Sequence, residues 1–249
     1  MAKTQHLDST EELKSKKSKS ERTAERLYEI SIDQFLRRGF DQTTMRDLAQ
    51  AAELSPGAFY YHFPSKEAVI QRFYEQTFAQ FAEAAREAMS AHERFEARYM
   101  GLLEARLSTF RSSRELLIVL SRTAVDPRST LSPFGPDQKE IREATIDLMR
   151  ECIDGSDLSA HAKLRPYLPE LLWMYMMGLI FYWVFDTSPE QKQTRELIRL
   201  LTPQIIRLIR FSRIPLTGRV LQPLFQVLQL VIPEPLALRQ DSNKSTSRE

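Results

Sequence analysis

The sequence predicts an all-α protein, and three observations carry that prediction. Apolar residues recur at helical spacing along successive segments. Beyond about His92 no stretch shows the two-residue alternation of a strand. Capping and breaking residues then divide the chain into segments of helical length, at Gly39, Thr44, Ser55-Pro56, Pro64, Gly155 and Ser188-Pro189. With 249 residues, the chain holds a small domain and a larger one with its own core. Its 42% hydrophobic and 27% charged residues are an ordinary globular composition.

Residues 1–18 lack the apolar run of a signal peptide, and their KSKKSK segment reads as a disordered basic arm. Such an arm either touches phosphates or is a plain soluble tail. The first helix is expected from about Ser20 to Arg38, with Leu27, Ser31 and Phe35 inward and Arg22 and Arg26 in its early turns. Gly39 suits the left-handed residue that closes it, and Phe40 supplies the following apolar contact. Thr44 then caps a second helix, completed by Asp47 three residues on, with Met45, Leu48, Ala49 and Ala52 on one face. Ser55 caps a third, Pro56 fits its first turn, and Pro64 stops it.

Phe59 and Phe63 lie four apart in that third helix and anchor it, leaving Gly57, Ala58, Tyr60, Tyr61 and His62 outward. Small, aromatic and hydrogen-bonding residues over an aromatic anchor suit a helix that enters a DNA major groove. The plainer alternative is a helical hairpin whose tyrosines only pack. The formal charge is +2, so affinity for nucleic acid must come from a local basic surface.

These residues resemble the DNA-binding region of the tetracycline-repressor (TetR) family of bacterial transcriptional regulators. The likeness is carried by RGF at 38–40, TTMRDLA at 43–49 and SPGAFYYHFPSKEAV at 55–69. It covers the N-terminal fifth of the chain, counted from the first helix. One departure is Glu53, where that family usually has Gly in the turn; a non-Gly residue at positive φ there is mildly strained. The resemblance implies an N-terminal three-helix helix-turn-helix DNA-binding domain and a larger C-terminal helical domain for ligand binding and dimerisation. It also implies that the start of the first helix lies beside the DNA backbone, making Lys19 and Arg22 phosphate contacts. Thr44, Arg46, Ser55, Pro56, Tyr60, Tyr61 and Lys66 are expected to position the duplex, with Gly57, Ala58 and His62 nearest the bases.

Ser65-Lys66-Glu67 opens a long fourth helix to about Ser90, striped by Val69, Phe73, Thr77 and Phe81. Lys66 in its first turn is placed where a phosphate is favoured. Phe95, Tyr99, Leu102 and Phe110 mark the next helix, and Leu116 to Ala124 another. Val125 to Asp137 reads as a mobile loop rich in Pro and Ser. Ile141, Thr145, Leu148, Met149 and Cys152 stripe a helix that ends at Gly155. Cys152, the single cysteine, is expected to be an inert core thiol in a reducing cytoplasm.

Leu171 to Phe185 is apolar without interruption. It is shorter than the roughly twenty residues of a membrane span, so burial against its own core on one face and a partner subunit or ligand on the other is the favoured reading, with no membrane. Ser188-Pro189-Glu190 is expected to cap and start the next helix, which carries Leu197, Ile198, Leu201, Ile205, Leu208 and Ile209 and is kinked or divided by Pro203. The resemblance places a homodimer four-helix bundle on these two helices, about 169–186 and 189–212. It also implies a pocket for a small lipophilic effector. Trp173, Met177 and Phe181, with Tyr99 and Arg106 from a facing helix, are the candidate lining. Val220 to Ile232 repeats apolar residues with glutamines between, as a helix that caps the core or crosses to the partner, and Arg239 to Glu249 reads as a disordered tail.

The expected domains are therefore the arm 1–18, the helix-turn-helix domain 19–66, a connecting helix 67–90, the ligand and dimerisation domain 91–213, an extension 214–238 and the tail 239–249. No enzyme and no cofactor are expected: the sequence has no Gly-rich phosphate loop, GxSxG or HExxH, and His6, His62, His92 and His161 are scattered. The expected function is a dimeric ligand-responsive repressor that binds a palindromic operator on double-stranded DNA. A lipophile-sensing module acting through protein partners and a membrane-associated helical protein are the alternatives.

Overall fold

A computed structural model describes residues 19–126, 128–214 and 218–232. The basic arm, the end of the extension from residue 233 and the C-terminal tail lie outside the described residues. Ten α-helices follow in order: α1 Lys19–Arg38, α2 Met45–Ala51, α3 Pro56–His62, α4 Lys66–Ser90, α5 Phe95–Phe110, α6 Arg114–Val125, α7 Lys139–Asp154, α8 Leu168–Phe185, α9 Lys192–Phe211 and α10 Gly218–Val231. No strand occurs among the described residues. The chain forms two compact units, residues up to Phe73 with Val119–Ser121, and the remainder; the boundary falls inside α4.

In the first unit, Gly39 takes φ +85° and its N–H bonds to Phe35 O, closing α1. Phe40 then packs edge-on against Phe35 at 5.1 Å. A full capping box starts α2: Thr44 Oγ1 accepts from Asp47 N–H, and Asp47 Oδ2 accepts from Thr44 N–H. The Asp47 carboxylate also pairs with Arg38 at 2.9 Å. Hydrogen bonds from the Thr44 hydroxyl and amide, then from Arg38, draw its pKa down to about 2. Leu27, Phe35, Phe40, Leu48, Ala49, Ala52, Phe59, Phe63, Val69 and Ile70 are buried, so the apolar stripes of α1 to α4 meet in a core.

The second unit is built on helix ends closed by arginine. Arg98 of α5 donates to Met89 O and His92 O after α4, and to Glu151 O and Cys152 O at the end of α7. A Cβ at Gly155 would lie 2.5 Å from that guanidinium, so glycine there makes room for the brace. Arg114 likewise donates to Val184 O and Asp186 O, at 2.9 and 2.7 Å, past the end of α8. Both place a cation at a helix C-terminus, where carbonyls lack intrahelical donors. The loop between α6 and α7 is tied to α7 by Arg142, which donates to Pro133 O and Gly135 O. Cys152 is buried, and burial pushes its thiol up to about 12, so it stays protonated at neutral pH.

Helix α8 packs on α7 and α9, and α9 packs on α5. Leu172, Trp173, Met176, Leu179, Ile180, Trp183 and Val184 face inward, whereas Met174, Gly178, Tyr182 and Phe185 are exposed. Arg165–Phe185 is long and apolar enough to cross a membrane by composition, and 56% of its most apolar window is buried in this fold. The start of α9 differs from the sequence expectation. Glu190 and Gln191 take left-handed φ of 51° and 52°, so Ser188-Pro189 opens a short 3-10 turn and the α-helix begins at Lys192. Buried Asp186 shares the capping with Ser188: Ser188 Oγ accepts from Gln193 N–H at 3.0 Å, and the Asp186 carboxylate accepts from Ser188 N–H at 2.9 Å, Thr194 N–H at 2.8 Å and the Thr194 hydroxyl at 2.6 Å. Burial alone would raise that carboxyl, but these hydrogen bonds outweigh it and hold it at about 2. Pro203 lies inside α9, which runs unbroken from Lys192 to Phe211.

Candidate nucleic-acid interface and interior cavity

The first unit presents α3 on its surface. Ser55 caps it by accepting from Ala58 N–H at 3.3 Å, Pro56 occupies the first turn, and Phe63 N–H closes it on Phe59 O. Phe59 is fully buried and Phe63 nearly so, with ring centres 6.1 Å apart. Across the helix, Pro56, Gly57, Ala58, Tyr60 and Tyr61 are exposed, Tyr61 by 81%. A Cβ at Gly57 would meet nothing within 4 Å, so the fold does not require glycine there; its smallness bears on what approaches from outside. His62 is half-buried with its ring edge-on to Tyr61 at 5.1 Å, less outward than the sequence suggests.

The turn from α2 to α3 carries the departure noted above. Glu53 takes φ 58°, and Glu53 N–H and Leu54 N–H bond back to Gln50 O and Ala49 O. The backbone keeps the tight turn although a side chain stands where glycine would be unstrained.

Lys19 and Arg22 are exposed on the first turn of α1, and Arg46 is exposed on α2. Arg46 has no ion-pair partner among the described residues. Thr44 and Ser55 are exposed, and each hydroxyl is already used in capping. Lys66 is half-buried, and sequence reasoning missed its internal partners. Its ammonium donates to Phe40 O at 2.9 Å and lies 4.5 Å from the centre of the Phe40 ring. Asp41 O stands at 3.5 Å. An ammonium carries three donors, so at least one points elsewhere. A second missed brace is Arg72, which pairs with Glu25 at 2.8 Å and stacks near Tyr28 and Phe63. No local spacing signals either contact, because each joins residues more than twenty apart.

In the second unit a narrow space of about 160 Å³, counted with its opening to solvent, lies between α5, α8 and α9, bordered by Leu103, Leu107, Met176, Leu179, Ile180 and Ile198, with Arg106 among its walls. Of the five residues proposed from sequence, Arg106 borders it. Tyr99 is fully buried, donates to Leu172 O at 2.8 Å and stacks on Phe95. Trp173 packs edge-on to Phe134 at 5.3 Å. Met177 and Phe181 are half-buried, each one position beyond a lining residue of α8. The six missed lining residues Leu103, Leu107, Met176, Leu179, Ile180 and Ile198 are plain apolar side chains, which no sequence signal distinguishes from core.

Comparison with known proteins agrees with this geometry. Residues 28–73 match the family described as bacterial regulatory proteins, tetR family, and residues 98–227 match the tetracyclin repressor-like C-terminal domain. The HTH-type transcriptional repressor KstR2 of Mycolicibacterium smegmatis is 28% identical over 138 residues, which cover 52% of this chain and 65% of that protein. The chain thus spans just under two thirds of this relative's length. The probable HTH-type transcriptional regulator ArpR of Pseudomonas putida is 26% identical over 187 residues, covering 68% of this chain and 83% of the relative. Among solved structures, FadR from Bacillus subtilis in complex with stearoyl-CoA shares the fold with a TM-score of 0.54 and 14% identity, over 75% of this chain and 97% of that one.

Proposed function

This chain belongs to the TetR family of bacterial regulatory proteins, and from that premise we propose that it is a cytoplasmic, dimeric transcriptional repressor. It binds a palindromic operator on double-stranded DNA and is released by a small lipophilic effector. The observation that carries this reading is α3. Seven residues held from beneath by Phe59 and Phe63 present a small and aromatic outer face, with Tyr61 81% and Tyr60 47% exposed.

In the proposed complex, α3 of each subunit enters the major groove, and the two lie about one helical turn of DNA apart. Gly57 and Ala58 let the backbone come close, and His62 sits nearest the base edges with them. Tyr60 and Tyr61 hydroxyls, Arg46 and the amides at the α3 start beside Ser55 and Pro56 hold phosphates. Thr44 positions α2, and Lys19 and Arg22 add charge at the start of α1. Lys66 offers its remaining donor to a phosphate while holding the turn at Phe40.

Dimerisation is assigned to α8 and α9. Met174, Tyr182 and Phe185 on α8 and Leu200, Leu201, Leu208 and Phe211 on α9 are exposed apolar side chains on two helices that touch each other. A patch of this kind on a soluble protein marks an interaction surface. The effector enters the second unit at the aliphatic space beside Arg106. It weakens operator binding by favouring a different separation of the two α3 helices; equal affinity for both separations would change nothing.

Footprinting on the DNA upstream of the protein's own gene tests the reading. A protected palindrome, with a steep fall in affinity as salt rises, is the expected result. A protein that prefers no genomic duplex over random DNA would not be this repressor, and a protected site with increased transcription would make it an activator.

A further inference from the structure

Arg106 is the unusual cation of the second unit. It is 6% exposed, on a helix whose neighbours at that level are aliphatic and aromatic. Its guanidinium carbon lies 3.8 Å from the centre of the Phe81 ring and 4.8 Å from that of Phe110. Its Nε has no hydrogen-bond acceptor, and no carboxylate pairs with it among the described residues. Orphaned guanidinium nitrogens also occur at Arg150 and Arg210, but those side chains pair with Asp147 and Asp157, and Arg98, Arg114 and Arg142 each donate to carbonyl oxygens at helix or loop ends. Burial lowers the Arg106 pKa to about 9, which still leaves the group charged at neutral pH.

Two aromatic faces offset only part of the cost of burying such a charge. The rings meet the faces of the guanidinium and leave its in-plane N–H donors without an acceptor. The charge borders the 160 Å³ space between α5, α8 and α9, no part of which is wide enough for a water molecule. A planar fork of N–H donors beside an aliphatic slot is complementary to one planar anion with an apolar body.

We propose that Arg106 is an anion-binding residue and that the molecule this unit accepts is an aliphatic monocarboxylate, its carboxylate paired with the Arg106 guanidinium and its chain lying among Leu103, Leu107, Met176, Leu179 and Ile180. This rests on the effector reading above and narrows it from any lipophile to an acid. One negative charge balances one guanidinium; a phosphate dianion would bring a second charge into apolar surroundings with nothing to meet it. As the space stands it has no room for a ligand atom, so the chain enters only by displacing lining side chains. Met176 is the most adaptable of them.

The test is a titration of the full-length protein, followed by thermal shift and tryptophan fluorescence, with octanoate, decanoate and dodecanoate, then decan-1-ol and decyl phosphate. At least one acid is expected to bind, decanoate tenfold or more tighter than decan-1-ol, and decyl phosphate more weakly than decanoate. Arg106→Met keeps the length and removes the charge, and should bring decanoate to within threefold of the alcohol. Should Arg106→Met fail to fold by circular dichroism, Arg106→Lys takes its place: it keeps the charge without the fork, and should bind decanoate several-fold more weakly while still preferring it to the alcohol. No binding of any acid, equal binding of acid and alcohol, tighter binding of decyl phosphate, or a preference that survives in Arg106→Met each overturns the proposal. So does an Arg106→Lys variant that binds decanoate as the wild type does. Footprinting is run beside the titration. A protected operator without acid selectivity sinks this inference alone, whereas acid selectivity without a protected operator sinks the repressor reading and leaves this one standing.

Discussion

Lys66 joins two roles in one side chain. Its ammonium holds Phe40 O and covers the Phe40 ring, fixing the turn that separates α1 from α2. Lys66→Ala should therefore cost the protein about 1.5 kcal/mol, the lower end for a charge-assisted hydrogen bond because the group is half exposed. It should also weaken binding to every DNA sequence alike and reduce the salt slope by about one. Urea denaturation beside salt-dependent operator titration separates the two effects; a loss confined to one operator sequence would contradict the phosphate role. Tyr61, 81% exposed, should behave in the opposite way. Tyr61→Ala is expected to leave stability within about 0.5 kcal/mol while lowering operator affinity, and a large fall in melting temperature would show that the ring packs. At Glu53 the strain is in the backbone. With φ 58°, Glu53→Gly relieves a left-handed conformation that costs an L-residue about 1–2 kcal/mol, partly offset by glycine's freedom in the unfolded chain. The urea midpoint should rise.

At the scale of one element, α2 shows how a short helix is held. Seven residues are too few to be helical alone, so its stability comes from the capping box, the Arg38 pair and the buried Leu48 and Ala49. Thr44→Ala removes the cap and should cost about 1 kcal/mol. The Asp47 carboxyl, held at about 2 in the folded state, lies below its unfolded value of about 3.9. Its contribution to stability is thus complete above that unfolded value and disappears as the pH falls through about 2. Asp47→Asn should lower stability at neutral pH and flatten the acid limb of the unfolding curve between about pH 4 and 2; an unchanged acid limb would show that the cap carries no such linkage. Asp186 applies the same chemistry before α9: Ser188 caps Gln193 N–H as the Ser-Pro pair suggests, but the helix starts at Lys192 and the carboxylate two residues earlier reaches Thr194.

For the molecule as a whole, the decisive question is what covers α8 and α9. Leu208 is 68% and Phe211 57% exposed, while Ile198, Ile206 and Ile209 on the same helix are buried. Leu208→Glu should leave the fold of one chain intact, since the side chain is 68% exposed, and should convert the proposed dimer to monomer in sedimentation or light scattering. Operator affinity should fall with it, because two half-sites are then no longer bound together. A dimer that survives Leu208→Glu would move the interface elsewhere. Leu230 at 83% and Val227 at 53% expose a further apolar edge on α10, where Leu228 alone among the three is buried.

The sequence by itself determined the helical class, the order of the helices and the outward face of α3. Those depend on spacing and on caps within three or four residues, such as Thr44 with Asp47 and Phe59 with Phe63. It located the left-handed Gly39 for the same reason, whereas Glu53 was found through the family resemblance and Glu190 and Gln191 were missed. What only the tertiary structure decided is how distant side chains use their charges: Lys66 on Phe40, Arg98 on two helix ends, and Arg106 left between two rings beside an aliphatic slot. Such pairings join residues far apart in the chain, and an arginine bound for a carbonyl has the same neighbours in sequence as one left unpaired.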